Sequence, residues 1–66
     1  MYMKELLSIE KRILEIEDKL KLYHKKILYK SLEERIPVLK FCLELEDEKL
    51  ELKKQILTML EKIYIK

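Results

Sequence analysis

Residues 30–37, Lys30-Ser31-Leu32-Glu33-Glu34-Arg35-Ile36-Pro37, decide the fold, because they separate two amphipathic stretches that would otherwise read as one long helix. Ser31 followed by Glu34 matches a capping box, in which Ser and Glu side chains satisfy free backbone amides at a helix start. Pro37 disfavours helical geometry at Ile36 and has no amide to donate. Two arrangements fit: a helix that begins at Leu32 and kinks at Pro37, or a single turn over 32–36 leading into a helix with Pro37 in its first turn. The second is preferred. It gives one helical-hairpin domain over 1–66, with helix one over about 2–29, a turn over about 30–36 and helix two over about 37–65. A single bent helix is the rival, since no Gly or Asn marks the turn.

Upstream of that break the apolar positions step by four and three: Tyr2, Leu6, Ile9, Ile13, Ile16, Leu20, Tyr23, Ile27. This is a coiled-coil seam of nearly four heptads. Met3, Leu7, Leu14, Leu28 and Leu32 form a second stripe to one side, so the apolar arc covers roughly half the circumference of the helix. Downstream the layout repeats. Val38, Leu45, Leu52, Ile56, Met59 and Ile63 form one stripe, and Leu39, Leu43, Leu50, Leu57, Leu60 and Tyr64 the other. One partner helix cannot cover such an arc, so each helix needs two neighbours.

Charge suggests how the helices are oriented. Residues 4–18 are mildly acidic, 19–30 carry five lysines and no acid, 44–51 are acidic and 53–66 basic. Each helix is thus acidic at its start and basic at its end, which complements the helix dipole. Folding back near residue 34 would set the lysine run against 44–51 and the acidic start against 53–66. A parallel alignment would oppose like charges, so the expectation is an antiparallel hairpin. Its helices should be about 27 residues long, roughly 40 Å at 1.5 Å per residue.

A chain of 66 residues buries only about 60% of its unfolded surface, which leaves a lone monomer marginal. Cys42 is the only cysteine, so no internal disulfide can compensate, and a lone thiol fits a reducing compartment. Association remains. The fold class expected is all-α, an antiparallel two-helix hairpin self-associating into a homodimeric four-helix bundle with coiled-coil-like packing. The candidate interface comprises Leu6, Leu7, Ile9, Ile13, Leu14, Ile16, Leu20, Tyr23 and Ile27 of the first helix. From the second it takes Leu45, Leu50, Leu52, Ile56, Leu57, Met59, Leu60 and Ile63. Higher oligomers, or insertion beside another protein, would use the same faces.

The longest unbroken apolar stretch, Ile36 to Leu39, is far short of the roughly 20 residues of a membrane span. The start of the chain also lacks the basic and apolar pattern of a signal peptide. A cytoplasmic location is therefore expected. Lys and Glu dominate, Gly, Ala, Asn and Trp are absent, and there is a single Gln. Loss of thermolabile amides beside Lys and Glu enrichment suggests a thermophilic source. A melting midpoint above about 60 °C is the expected sign, and a lower one counts against it.

Little in the chain points to catalysis, a cofactor or a metal. Glu10, Glu17 and His24 lie seven apart, about 10 Å along a helix, too far to share an ion, and no Glu-x-x-His motif is present. Ser8, Ser31 and Thr58 have no neighbouring base, and Cys42 reads as a buried thiol. Lys49 occupies a seam position between Cys42 and Ile56. There it either fixes register and oligomer state or packs its stem with the ammonium in solvent. Lys19, Lys21, Lys25, Lys26 and Lys30 mix with Tyr23 and Tyr29 as nucleic-acid surfaces do. Their first reading is a solvated or paired helix end. The function expected is a non-enzymatic protein-protein interaction or oligomerisation adaptor. The alternative is a small dimeric nucleic-acid-binding regulator using those five lysines.

Overall fold

A computed structural model describes residues 2–65, with helix α1 over Tyr2–Ile27 and helix α2 over Leu32–Tyr64. Of Tyr2 only the backbone is described. The seam and stripe positions also place Tyr2 and Tyr64 to meet at the open end of the hairpin, an expectation that lies outside the described residues, as does the charge of Lys66.

Helix α1 contains neither Gly nor Pro and is built largely from Leu, Ile, Glu and Lys, of which Leu, Glu and Lys are strong helix formers. Glu5 in its first turn and His24, Lys25 and Lys26 in its last complement the dipole. It ends by tightening. Leu28, Tyr29 and Lys30 donate their amides to the carbonyls of Lys25, Lys26 and Ile27 at 3.3, 3.1 and 3.2 Å, three successive i to i−3 bonds. No described residue has positive φ. The chain therefore turns without a left-handed cap, and this is how it dispenses with Gly and Asn.

Helix α2 starts at Leu32, five residues before Pro37, rather than at about residue 37. The turn expected over 30–36 is correspondingly too long and too late, since only residues 28–31 separate the helices. Ser31 is the N-cap. Its hydroxyl accepts from the Glu34 amide at 3.3 Å and donates to the Glu34 carboxylate at 2.9 Å, while its carbonyl accepts from the Arg35 amide at 3.2 Å. That cap organises the first turn before Pro37 is reached. Pro37 then costs only the bond that the Glu33 carbonyl would have accepted, and Glu33 is exposed to water that can replace it. Arg35 also donates from Nε to the Lys30 carbonyl at 3.3 Å, which ties the turn to the helix it opens.

The helices, 26 and 33 residues long, pack against each other in a hairpin rather than continuing as one bent rod. They run antiparallel. Tyr23 meets Phe41, Glu17 meets Lys49 and Arg12 meets Glu48, so contacts that move back along α1 move forward along α2. The result is a rod of 51 × 16 × 13 Å.

The core forms where the seams touch. Ile13, Ile16 and Leu20 of α1 and Cys42 and Leu45 of α2 are buried, and Ile16 alone is fully enclosed. Tyr23, Val38 and Leu52 pack around the cluster of Ile16, Leu20, Cys42 and Leu45. Phe41, which belongs to neither apolar stripe, closes the turn end by an edge-to-face contact with Tyr23, centroids 5.2 Å apart.

The early turn changes which charges meet. The acidic strip 44–51 makes its ion pairs with Arg12 and Glu17, while of the lysine run Lys19 lies near enough to Glu48 to join Arg12 in lowering its pKa and Lys21 lines a groove with Glu46. Among the described residues none of Lys19, Lys21, Lys25, Lys26 and Lys30 forms an ion pair. The antiparallel orientation stands, and the expected facing of the gradients survives at the start of the lysine run, through Lys19 and Lys21, without ion pairs.

Candidate association surface

One geometric fact organises the surface. In a right-handed helix the residue after a seam position sits about 100° further round. Reversing the helix reverses both that sense and the direction in which its seam points. The stripes that follow the two seams of an antiparallel hairpin therefore fall on the same side. On that side α1 presents Met3, Leu7, Leu14 and Leu28, while α2 presents Leu39, Leu43, Leu50, Leu57, Leu60 and Tyr64, and every one of these is exposed. Leu14 is 61% and Leu50 53% exposed, near mid-rod, where a single-chain fold would be best able to bury them.

The opposite side carries the residues that precede the seam. Arg12 grips Glu48 there through two bonds, Nε to Oε2 at 2.7 Å and Nη2 to Oε1 at 3.0 Å, and reaches Glu15 at 3.5 Å. Gln55 lines shallow grooves on that side with Glu5 and Ile9. The hairpin thus has one leucine side and one polar side.

The expected interface residues divide accordingly. Ile13, Ile16, Leu20 and Leu45 are buried inside the hairpin, and Leu6, Ile9, Tyr23, Ile27, Leu52, Ile56 and Met59 are half-buried along its seam. Leu7, Leu14, Leu50, Leu57 and Leu60 form the open leucine side, with Ile63 exposed at the seam's end. The Arg12–Glu48 clasp and Phe41 were not singled out from the sequence. Both flank the seams, and finding them requires the register, which the turn sets.

The clasp holds the Glu48 carboxyl below its ordinary range, chiefly through the hydrogen bond from Arg12, with the charges of Arg12 and Lys19 adding to the effect against some desolvation. It raises the Arg12 guanidinium in turn, again mainly through the Glu48 bond. A carboxylate whose folded pKa is depressed contributes stability above its unfolded pKa and loses it as pH falls through the folded value. Arg12→Gln should therefore destabilise the protein at neutral pH and flatten its loss of stability on acidification below about pH 4.3, the free Glu value. Melting curves across that range check this, and an unaltered acid limb would deny the clasp any role. Both side chains are more than a third exposed, so the effect is modest.

Lys49 is half-buried at its seam position. Its stem lies in the seam, and its ammonium sits 3.4 Å from the Glu17 carboxylate rather than free in solvent. With Glu17, Leu20, Lys21, His24 and Glu46 it lines a groove between the helices on the leucine side. Lys49→Leu should extend the core and raise the melting midpoint, by about 5 °C for each kcal/mol gained, while loosening register and broadening the oligomer distribution. A lower midpoint would assign the Glu17 pair the larger share.

His24 and Lys21 are exposed, and Cys42 is a buried free thiol. Among the described residues no group of three or more His, Cys, Asp or Glu side chains is placed to hold a metal ion. No described helix is long and apolar enough to cross a membrane. No family model matches the sequence, and no curated protein or solved structure matches it either. The surface itself carries the functional argument.

Proposed function

We propose that this chain is a non-enzymatic association module whose leucine side pairs with a second copy, making a homodimeric four-helix bundle. The observation that carries the reading is the set of exposed apolar residues on one side of both helices, densest toward the open end, where Leu7 and Leu14 lie with Leu50, Leu57 and Leu60, and broken nearer the turn by Glu17, Lys21, His24 and Glu46. Area supports it. A compact monomer of 8.2 kDa exposes about 4,500 Å² by size scaling, whereas this hairpin exposes 5712 Å². The excess exceeds the roughly 800 Å² that each partner contributes to a standard interface. A face on a second hairpin supplies the two neighbours that each half-apolar helix needs.

Sedimentation equilibrium at micromolar concentration is the test. Twice the 8.2 kDa chain mass is expected, and a compact folded monomer at all concentrations overturns the reading.

A second reading, a dimeric nucleic-acid-binding regulator, draws on the lack of ion pairs at Lys19, Lys21, Lys25, Lys26 and Lys30. Phosphate contacts by these lysines would give affinity for duplex DNA or structured RNA that falls steeply with salt. Isotherms at two salt concentrations decide it, and absence of binding at low salt rejects it.

A further inference from the structure

Beyond the association reading, and independent of it, we propose that the turn end of the rod docks on an anionic lipid surface, with Leu28, Tyr29 and Leu32 dipping among the headgroups and the last lysines of α1 held against them. Two observations meet at that end. The first is apolar exposure. Leu28 is 70%, Tyr29 91% and Leu32 78% exposed, more than Leu14 at mid-rod, and Leu22 and Ile36 are exposed beside them. The hairpin gives these side chains nothing to pack on, because Tyr23 and Phe41 close the core before the turn is reached. The second is charge. From Lys19 to Lys40, seven lysines and arginines stand against two acids, Glu33 and Glu34. Lys19 and Lys21 lie near acids of α2, but Lys25, Lys26 and Lys30, closest to the tip, form no ion pair among the described residues. Both acids sit in the first turn of α2, at the positive end of its dipole, and Glu34 takes the Ser31 hydroxyl.

Shape selects the partner. Lys21, Leu22, His24, Lys25 and Leu28 line one shallow hollow, and all five belong to α1, so it is the outer surface of a single helix and not a cleft between two. A helical peptide needs a groove to lie in. Here the apolar tip is convex, the end of a rod 16 × 13 Å across. Duplex nucleic acid would engage the lysines and leave the leucines and Tyr29 in water. A bilayer interface takes both: the acyl boundary accepts apolar side chains, a tyrosine ring suits the headgroup level, and anionic headgroups attract lysines. No helix has to cross. The tip lies beyond the mid-rod leucines, so a monomer and a dimer alike present it.

Co-sedimentation with phosphatidylserine–phosphatidylcholine vesicles, beside vesicles of phosphatidylcholine alone, tests the site. Binding to the anionic vesicles is expected, weaker on the neutral ones and falling as salt rises. Lys25→Gln with Lys26→Gln should lower the affinity about twentyfold, since each basic residue near such a surface contributes about fivefold. Leu28→Ser with Tyr29→Ser, at exposed positions where no core contact is lost, should lower it about tenfold at unchanged helicity. If that variant loses helicity, Tyr29→Ser alone replaces it and should weaken binding several-fold. Absence of binding to anionic vesicles at low salt overturns the proposal. So does a serine variant that binds them as tightly as the parent while the glutamine variant does not; equal binding of duplex DNA by parent and serine variant would then give the lysines to nucleic acid. A monomer mass in sedimentation would remove the dimer and leave the lipid site standing.

Discussion

Ile16→Ala should lower the stability of the protein by about 2–5 kcal/mol, the range for truncating a buried isoleucine. Ile16 is the one side chain enclosed on every side, at the centre of the cluster with Leu20, Cys42 and Leu45. Two effects add: the transfer free energy of the lost methyl and methylene groups, and a cavity that two stiff helices joined by a short turn cannot collapse to fill. Small domains have total stabilities of about 5–15 kcal/mol, and only five of the described residues are buried, so the loss is a large share of the whole. Thermal melts by circular dichroism, at one fixed protein concentration because association couples to unfolding, should show a drop of ten degrees or more, at about 4–8 °C per kcal/mol. Ser8→Ala, on the exposed surface of the same helix, provides the control and should change the midpoint little. An Ile16→Ala midpoint close to wild type would show that the seam cluster is not the core.

Leu14→Glu combined with Leu50→Glu should abolish self-association. Both leucines are exposed in the isolated hairpin, and Glu is a good helix former, so neither helix has a local reason to melt. In the proposed bundle the same positions lie at the centre of the interface. Unpaired carboxylates buried there cost several kcal/mol each, and every 1.4 kcal/mol weakens the dimer tenfold. Sedimentation at micromolar concentration should return a single species near 8.2 kDa, with Ser8→Glu as a variant that keeps the dimer. A Leu14→Glu, Leu50→Glu protein that remained dimeric would place the interface elsewhere, on the polar side or the lysine-rich end.

Some of the design is legible without coordinates because it is periodic. The seam from Leu6 to Ile27 and its counterpart from Val38 to Ile63 follow from four-and-three spacing alone. The residues at their middle, Ile13, Ile16, Leu20 and Leu45, are those the hairpin buries. Cys42 belongs with them, and its burial was legible from the same spacing. The Ser31 cap is equally local, since its hydroxyl accepts from the Glu34 amide within one turn of backbone, although the Glu34 carboxylate takes the Ser31 hydroxyl rather than the Ser31 amide of a full capping box.

Register was not legible, and the reason is physical. An all-helical turn without glycine has no obligatory sequence mark, and Pro37, the most conspicuous residue near it, is tolerated in the sixth position of α2 once Ser31 has capped the helix. A turn displaced by a few residues slides every cross-helix pair. Glu48 meets Arg12 and Lys49 meets Glu17 as ion pairs, while of the lysine run Lys19 and Lys21 lie beside the acidic strip.

By itself, then, the sequence determined two amphipathic helices, the break between them, the residues of each seam and an apolar arc too wide for one neighbour. These are properties of hydrophobic period and local capping, which act within a few residues. Tertiary structure alone decided where the turn closes and which charges meet. Those depend on register, and register is fixed by the packing of Ile16, Leu20, Cys42 and Leu45 across the pair rather than by any single stretch of chain.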